Sequence, residues 1–251
     1  MVSETMQNEA YNSINDIVRD LETQPIESSG HIYHPIPFPE FSHLTTSSNR
    51  KQVNKKFGLI IKALSELRPG GIMNLSVLDI GANAGFYTFS LAQRGAKVTA
   101  FESDHRYGPI GHFLATEKQL PVTWHSVPYS PDFVVGQQFD VTLMLSVFQW
   151  MADGGKRQAE ALDDLRVISG ASRYLIFELG FNVGKSCLRT TKLNHYAELI
   201  RLLKENTPYI HFRLLGTTRL WKGARRFLVL CSTDPSMEDG LFRRLLRQLN
   251  V

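Results

Sequence analysis

Residues 76–104 constrain the fold more than any other part of this chain. A short apolar run carries Asp79, and the turn Gly81-Ala82-Asn83-Ala84-Gly85 follows it. A helical stretch opens at Phe86, and a second apolar run ends in Glu102. The layout predicts a strand, a tight loop, a helix and a second strand with a carboxylate at its tip. That is the first half of a nucleoside-binding βαβ unit. Gly81 and Gly85 lack a Cβ, so the backbone can turn sharply there and approach a ligand closely. Glu102, about 20 residues beyond the first strand, is placed to accept both hydrogen bonds of a ribose diol.

Downstream, apolar runs and amphipathic stretches alternate. Strands are expected near 76–80, 97–101, 121–125, 140–146 and 173–178, with helices at about 85–94, 106–119 and 156–168 between them. Such alternation predicts a parallel sheet covered on both faces. A helix over 190–206 precedes strands at 212–220 and 226–232, joined at Lys222-Gly223; so short a link makes that pair antiparallel. The expected class is α/β, a doubly wound, seven-stranded, mostly parallel sheet with an antiparallel last strand. Ahead of it, Tyr11, Ile14, Ile17, Val18 and Leu21 mark an amphipathic helix over 4–22, stopped by Pro25. Residues 25–49, with Pro25, Pro35, Pro37 and Pro39, read as an extended or irregular connection, and a second helix covers about 50–67. Ser236 and Asp239 suggest a capping box for a last helix. Three parts follow: an N-terminal segment 1–49, a main domain 50–235 and a C-terminal helix 236–251.

The composition is that of a globular chain, 43% apolar and 21% charged. Cys187 and Cys231 form neither a disulfide framework nor a metal-ligand spacing, so a reducing compartment and no metal are expected. The longest apolar stretch, 141–151, is too short to span a bilayer, and the first residues lack the basic and apolar regions of a signal peptide. A soluble, cytoplasmic protein is the expectation. The formal charge of +4 is uneven: from Arg201 onward ten lysines and arginines face four acids. That region either attracts a phosphorylated or nucleic-acid substrate or is a set of solvated faces.

The loop Gly81-Ala82-Asn83-Ala84-Gly85 resembles motif I of the class I S-adenosylmethionine-dependent methyltransferases rather than a dehydrogenase fingerprint. A dinucleotide site takes G-x-G-x-x-G so that the backbone can approach a pyrophosphate. Here Asn83 stands where a second glycine would sit, and Asp79 would repel a pyrophosphate. An ammonium and a sulfonium suit it better. The resemblance covers about 50–232, with its sequence-specific part in 76–104, and implies S-adenosylmethionine as the methyl donor. It also implies that the segment ahead of the first strand forms a helical lid. The run Tyr33-His34-Pro35-Ile36 followed by Arg50 resembles the methyltransferase domains that modify bacterial cell-surface polysaccharides, and the related carboxymethylating enzymes of tRNA wobble uridine. In that subgroup an arginine ahead of the first helix helps hold the cofactor carboxylate, which makes Arg50 the candidate. His31, Tyr33 and His34 lack an accompanying carboxylate or cysteine, so a metal site is not expected there.

In open α/β sheets ligands lie at the carboxyl ends of the strands. By the resemblance, Asp79, Gly81, Asn83, Gly85 and Phe86 hold the donor, Glu102 and Ser103 its ribose, and Ser126 the adenine edge, with the backbone or Asp132 as alternatives. Ser146, Gln149 and Trp150 fall where the family lines the methionine portion and the reacting methyl; Trp150 reads as a packed aromatic wall or a cation–π contact. Glu178, at the tip of the fifth strand, is either a base or hydroxyl-orienting group or a structural acid. His195 either swings over the same pocket or lies on the surface.

Methyl transfer from a sulfonium is a direct displacement that alignment alone accelerates strongly. The Asn/Asp-Pro-Pro-aromatic segment of base amino-methylating enzymes is replaced here by Ser-Val-Phe-Gln. No cysteine stands where cytosine C5 chemistry needs one, and no Lys-Asp-Lys-Glu arrangement is visible. What remains is a hydroxyl or carboxyl on a small molecule, sugar or glycan. The alternatives are an RNA-modifying enzyme using the basic C-terminal region, and a non-catalytic binding or regulatory protein that keeps the fold.

Overall fold

The alternating apolar runs form seven strands in a computed structural model that describes residues 11–23, 32, 34–67, 70–182, 186–219 and 225–234. The strands are β1 (Ser76–Ile80), β2 (Lys97–Phe101), β3 (Val122–His125), β4 (Phe139–Leu145), β5 (Ser172–Leu179), β6 (His211–Arg219) and β7 (Arg225–Ser232). The helices are α1 (Ile14–Thr23), α2 (Ser47–Glu66), α3 (Phe86–Ala92), α4 (Tyr107–Glu117), α5 (Phe148–Met151), α6 (Gln158–Gly170) and α7 (His195–Asn206). The sheet runs in the order β3-β2-β1-β4-β5-β7-β6, with β7 antiparallel to both of its neighbours. The expected turn at Lys222-Gly223, residues 4–10 of the expected first helix and the C-terminal helix lie outside the described residues, and residues 11–13 are not helical, so that helix begins at Ile14.

The chain divides into two compact units, Met1–Tyr129 and Ser130–Val251. In the first, β1 and β2 pair in parallel with Ile80 beside Phe101, and β2 pairs with β3 so that Phe101 lies beside His125. The three tips are therefore level, and Gly81, Glu102 and Ser126 all stand just beyond them. All seven residues of α3 are buried. Its Phe86 meets Phe57 of α2 edge-on at 5.5 Å, and its Phe89 stacks on Trp124 of β3 at 5.7 Å. α2 starts at Ser47, earlier than its apolar stripe suggests, because Thr46 caps it: the Thr46 hydroxyl accepts the Asn49 backbone N–H at 3.2 Å.

The proline-containing segment ahead of α2 is irregular, as expected, but densely packed. Ile36, Phe38, Phe41 and Leu44 are buried and share one apolar cluster with Ile17 and Leu21 of α1, Ala82 and Ala84 of the glycine loop, and Leu114 of α4. Burying a large apolar side chain contributes about 1.5–3 kcal/mol. The N-terminal segment is thereby held against the loop by a core of its own. A short 3-10 turn, Pro39–Leu44, shapes it, and Lys118 of α4 pairs with Glu40 at 2.7 Å while lying over the Phe38 ring.

In the second unit, β4 and β5 are parallel with Leu145 beside Glu178. β7 lies against β5, bringing Leu228 beside Glu178. The Tyr209 hydroxyl, fully buried, donates to the carbonyls of Ser172 (2.8 Å) and Ser169 (3.2 Å) and so ties the approach to β6 to the start of β5. α7 begins at His195, not near 190, because the Asn194 side chain caps it by accepting the Ala197 N–H at 3.0 Å. Ahead of it, Asn182 is tied to Thr190 instead. The Asn182 amide donates to the Thr190 carbonyl at 2.8 Å and accepts the Thr190 N–H at 3.0 Å.

Candidate functional site

The glycine loop is built on three left-handed residues. Gly81 has φ 75°, Asn83 φ 52° and Gly85 φ 78°, a region that side chains other than Asn and Asp rarely adopt. The N–H groups of Gly81 and Ala82 both donate to the Phe101 carbonyl, at 2.9 and 3.0 Å, so the loop folds back over the tip of β2. Gly85 is the N-cap of α3, and a Cβ there would lie 2.3 Å from the Phe89 ring. No other residue fits that place without displacing the aromatic core.

Two carboxylates frame this loop, and both are nearly inaccessible. Asp79, 2% exposed, accepts the Thr88 hydroxyl at 2.6 Å. Burial, reinforced by the nearby Glu102, pushes its pKa up to about 6, against the hydrogen bonds from Thr88. Glu102, 8% exposed, accepts the Asn83 N–H on Oε2 at 2.5 Å and the Asp104 N–H on Oε1 at 2.7 Å. Burial raises its pKa as well, opposed by backbone hydrogen bonds that include Ser103. The expectation that a ribose diol takes both Glu102 oxygens is modified accordingly. Backbone N–H groups of Asn83, Asp104 and Ser103 already donate to these oxygens, and about one acceptor site is left. Asn83 Oδ1 is buried and has no partner among the described residues.

The other expected residues of this unit fall around the loop with different degrees of engagement. Phe86 is buried as the first residue of α3, Ser103 is exposed, and Ser126 is half-buried against Gly108 of α4. Arg50 lies in the first turn of α2, where its guanidinium donates to the Ser42 carbonyl and, at 3.2 Å, to that of Thr45. His34 meets the Tyr87 ring edge-on at 5.7 Å; His31 and Tyr33 are outside the described residues.

In the second unit, Ser146, Gln149 and Glu178 come together. Ser146 follows β4 in the left-handed region (φ 61°), its N–H donating to the Glu178 carbonyl at 3.0 Å and its hydroxyl to the Glu178 carboxylate. Glu178 is fully buried, with the Thr218 hydroxyl 3.5 Å from its other oxygen. The Gln149 amide donates to the Ser146 carbonyl at 2.6 Å, leaving its Oε1 buried and unpartnered. His195 is half-buried at the start of α7, its ring 5.9 Å from that of Phe181. Trp150 is 62% exposed, so the packed-wall reading does not hold; α5 turns its ring outward while burying Phe148 and Gln149. Asp132 is exposed.

Thr88 and Thr218 were not anticipated. Thr88 has a signal in the sequence, a hydroxyl inside the otherwise apolar opening of α3, whereas Thr218 becomes relevant only through the β6–β7–β5 pairing. Among the described residues no three His, Cys, Asp or Glu side chains are grouped to hold a metal, and no helix is long and apolar enough to cross a membrane. Arg201, part of the basic excess, is paired with Glu198 and Glu205 on its own helix.

A parallel sheet ending in the inserted antiparallel strand β7, with a glycine loop after β1 and an acid after β2, is the fold of the class I S-adenosylmethionine-dependent methyltransferases. No protein-family model matches the chain, and no curated protein matches it. Among solved structures it is similar to the bifunctional kinase-methyltransferase WbdD, with a TM-score of 0.65 and 21% identity over 88% of this chain. This chain spans 46% of the WbdD chain. It is also similar to magnesium protoporphyrin IX methyltransferase (ChlM) from Synechocystis PCC 6803 with bound SAM, with a TM-score of 0.54, 19% identity, and coverage of 90% of this chain and 100% of that one. The N-terminal domain of EvdMO1 with SAH bound gives a TM-score of 0.59 at 12% identity, covering 88% and 96% of the two chains.

Proposed function

We propose that this chain is an S-adenosylmethionine-dependent methyltransferase that methylates a hydroxyl of a small molecule or glycan. The observation that carries the reading is the pair of buried carboxylates, Asp79 and Glu102, set around a loop with three left-handed residues. Burying a carboxylate is costly unless it is paired. Two of them beside an unpartnered acceptor, Asn83 Oδ1, favour a ligand rich in donors and positive charge. ChlM and EvdMO1 domain structures, which carry SAM or SAH, have the same fold.

The cofactor would supply a methyl group on a sulfonium, and the protein's task is alignment. Glu102 would receive a ribose hydroxyl, Asp79 would supply negative charge, and the left-handed turn would let the backbone close on the ligand. The N-terminal segment, already packed on Ala82 and Ala84, serves as the lid that excludes water. Within the second unit the Ser146 hydroxyl donates to Glu178, which leaves the Ser146 oxygen free to accept a proton from a bound hydroxyl while its own proton passes to Glu178. Gln149 Oε1 orients the acceptor.

Calorimetric titration with S-adenosylhomocysteine tests this reading. Saturable heat and a thermal shift are expected; neither effect at millimolar ligand would refute it.

A further inference from the structure

Asn83 combines two features that the turn by itself does not require. Its backbone is left-handed at φ 52°, between glycines that reach the same region without a side chain. Glycine adopts that conformation more readily than asparagine, so the backbone alone gives no reason for a side chain here. Its Oδ1 is buried and has no hydrogen-bond partner among the described residues. Buried polar atoms are nearly always paired, and an orphan at a strand-tip loop calls for a donor that arrives with a ligand. The same residue's N–H donates to Glu102 Oε2 at 2.5 Å, which fixes Asn83 beside the carboxylate.

Glu102 cannot accept freely. Backbone N–H groups of Asn83, Asp104 and Ser103 already donate to its two oxygens, and about one acceptor site remains. A carboxylate that holds the Asn83 N–H, together with an unpartnered amide carbonyl on that same residue, suits a ligand with two closely spaced neutral donors, which is what vicinal hydroxyls provide. We propose that Asn83 is a specificity-determining residue for the nucleoside sugar: its side-chain carbonyl accepts one ribose hydroxyl while Glu102 accepts the other. This role rests on the nucleoside-cofactor reading above and adds to it a residue that distinguishes ribose from deoxyribose.

The test is calorimetry on the full chain and on Asn83→Gly, with four probes: S-adenosylhomocysteine, its 2′-deoxy and 3′-deoxy analogues, and the analogue lacking the α-amino group. Glycine keeps the left-handed backbone accessible, and a thermal melt checks that the variant is folded. Asn83→Gly is expected to weaken S-adenosylhomocysteine about ten-fold. It should weaken one of the two deoxy analogues less than about two-fold, because the hydroxyl that met Asn83 is then already gone. Equal losses on both deoxy analogues, or no loss on the parent ligand, would overturn the assignment. A loss that vanishes only with the deaminated analogue would also overturn it, placing the ammonium at Asn83. If the unaltered chain binds none of the probes, the cofactor reading itself fails, which is a different result from a failure confined to Asn83.

Discussion

Asp79→Asn should stabilise the ligand-free protein while impairing it. Asp79 is 2% exposed, and burial raises its pKa from 3.8 to about 6. At about 1.4 kcal/mol per pH unit, that gap corresponds to about 3 kcal/mol. Because the folded-state value lies above the unfolded one, the protonated carboxyl favours the folded state. That stability is fully present below about pH 4 and is lost as the pH rises through about 6. Asparagine never ionises, and its carbonyl can still accept the Thr88 hydroxyl that Asp79 now accepts at 2.6 Å. The melting temperature of Asp79→Asn relative to the unaltered chain should therefore rise by about 5–10 °C between pH 4 and pH 8, at 2–4 °C per kcal/mol for a chain of about this size. Comparing two pH values cancels any pH-independent effect of the amide. Thermal melts followed by circular dichroism give the measurement, and calorimetry should show weaker S-adenosylhomocysteine binding at pH 8. A melting difference that does not change with pH would refute the claim that a buried, strained carboxylate is maintained beside the loop.

Four further changes probe the rest of the account. Gly85→Ala should destabilise the protein by about 2–4 kcal/mol in denaturant melts, since a Cβ there would lie 2.3 Å from the Phe89 ring on a left-handed backbone. Glu102→Ala should weaken S-adenosylhomocysteine at least ten-fold by calorimetry, at about 1.4 kcal/mol per decade, because a charged acceptor is lost and the Asn83 and Asp104 N–H groups lose their partner. Tyr209→Phe should cost about 1–3 kcal/mol in the same melts, leaving the Ser169 and Ser172 carbonyls short of a donor in the core, with cofactor affinity unchanged. Ser146→Ala should leave S-adenosylhomocysteine affinity within about two-fold, but lower kcat by about 100-fold once an acceptor is in hand.

The first unit was legible in the sequence because its signals are local. The apolar runs at 76–80 and 97–101 coincide with β1 and β2, and the sharp turn expected at Gly81 and Gly85 is there, both glycines being left-handed. Apolar periodicity locates a helix but not its first residue. The starts of α2 and α7 are set by the side chains of Thr46 and Asn194, single polar residues that lie outside the apolar stripe. Over the described residues 34–46 the prolines at 35, 37 and 39 correctly indicated irregular backbone, yet irregular backbone with spaced apolar side chains can bury them as well as a helix does. Only the structure shows Phe41 and Leu44 in one cluster with Ala82 and Ala84. The Ser146–Glu178 contact depends on the β4–β5 register, Leu145 beside Glu178, between segments far apart in sequence. Each residue could be named as a candidate in advance, but not their hydrogen bond. His195 and Trp150 were nominated by position alone. The structure packs His195 on Phe181 and turns the Trp150 ring outward on α5.

The most direct measurement is a crystal structure of the protein grown with S-adenosylhomocysteine. The account predicts the ligand at the glycine loop, with its ribose hydroxyls within hydrogen-bond distance of the Glu102 carboxylate and of Asn83 Oδ1. A ligand bound elsewhere, or bound there with its ribose turned away from Glu102, would contradict it.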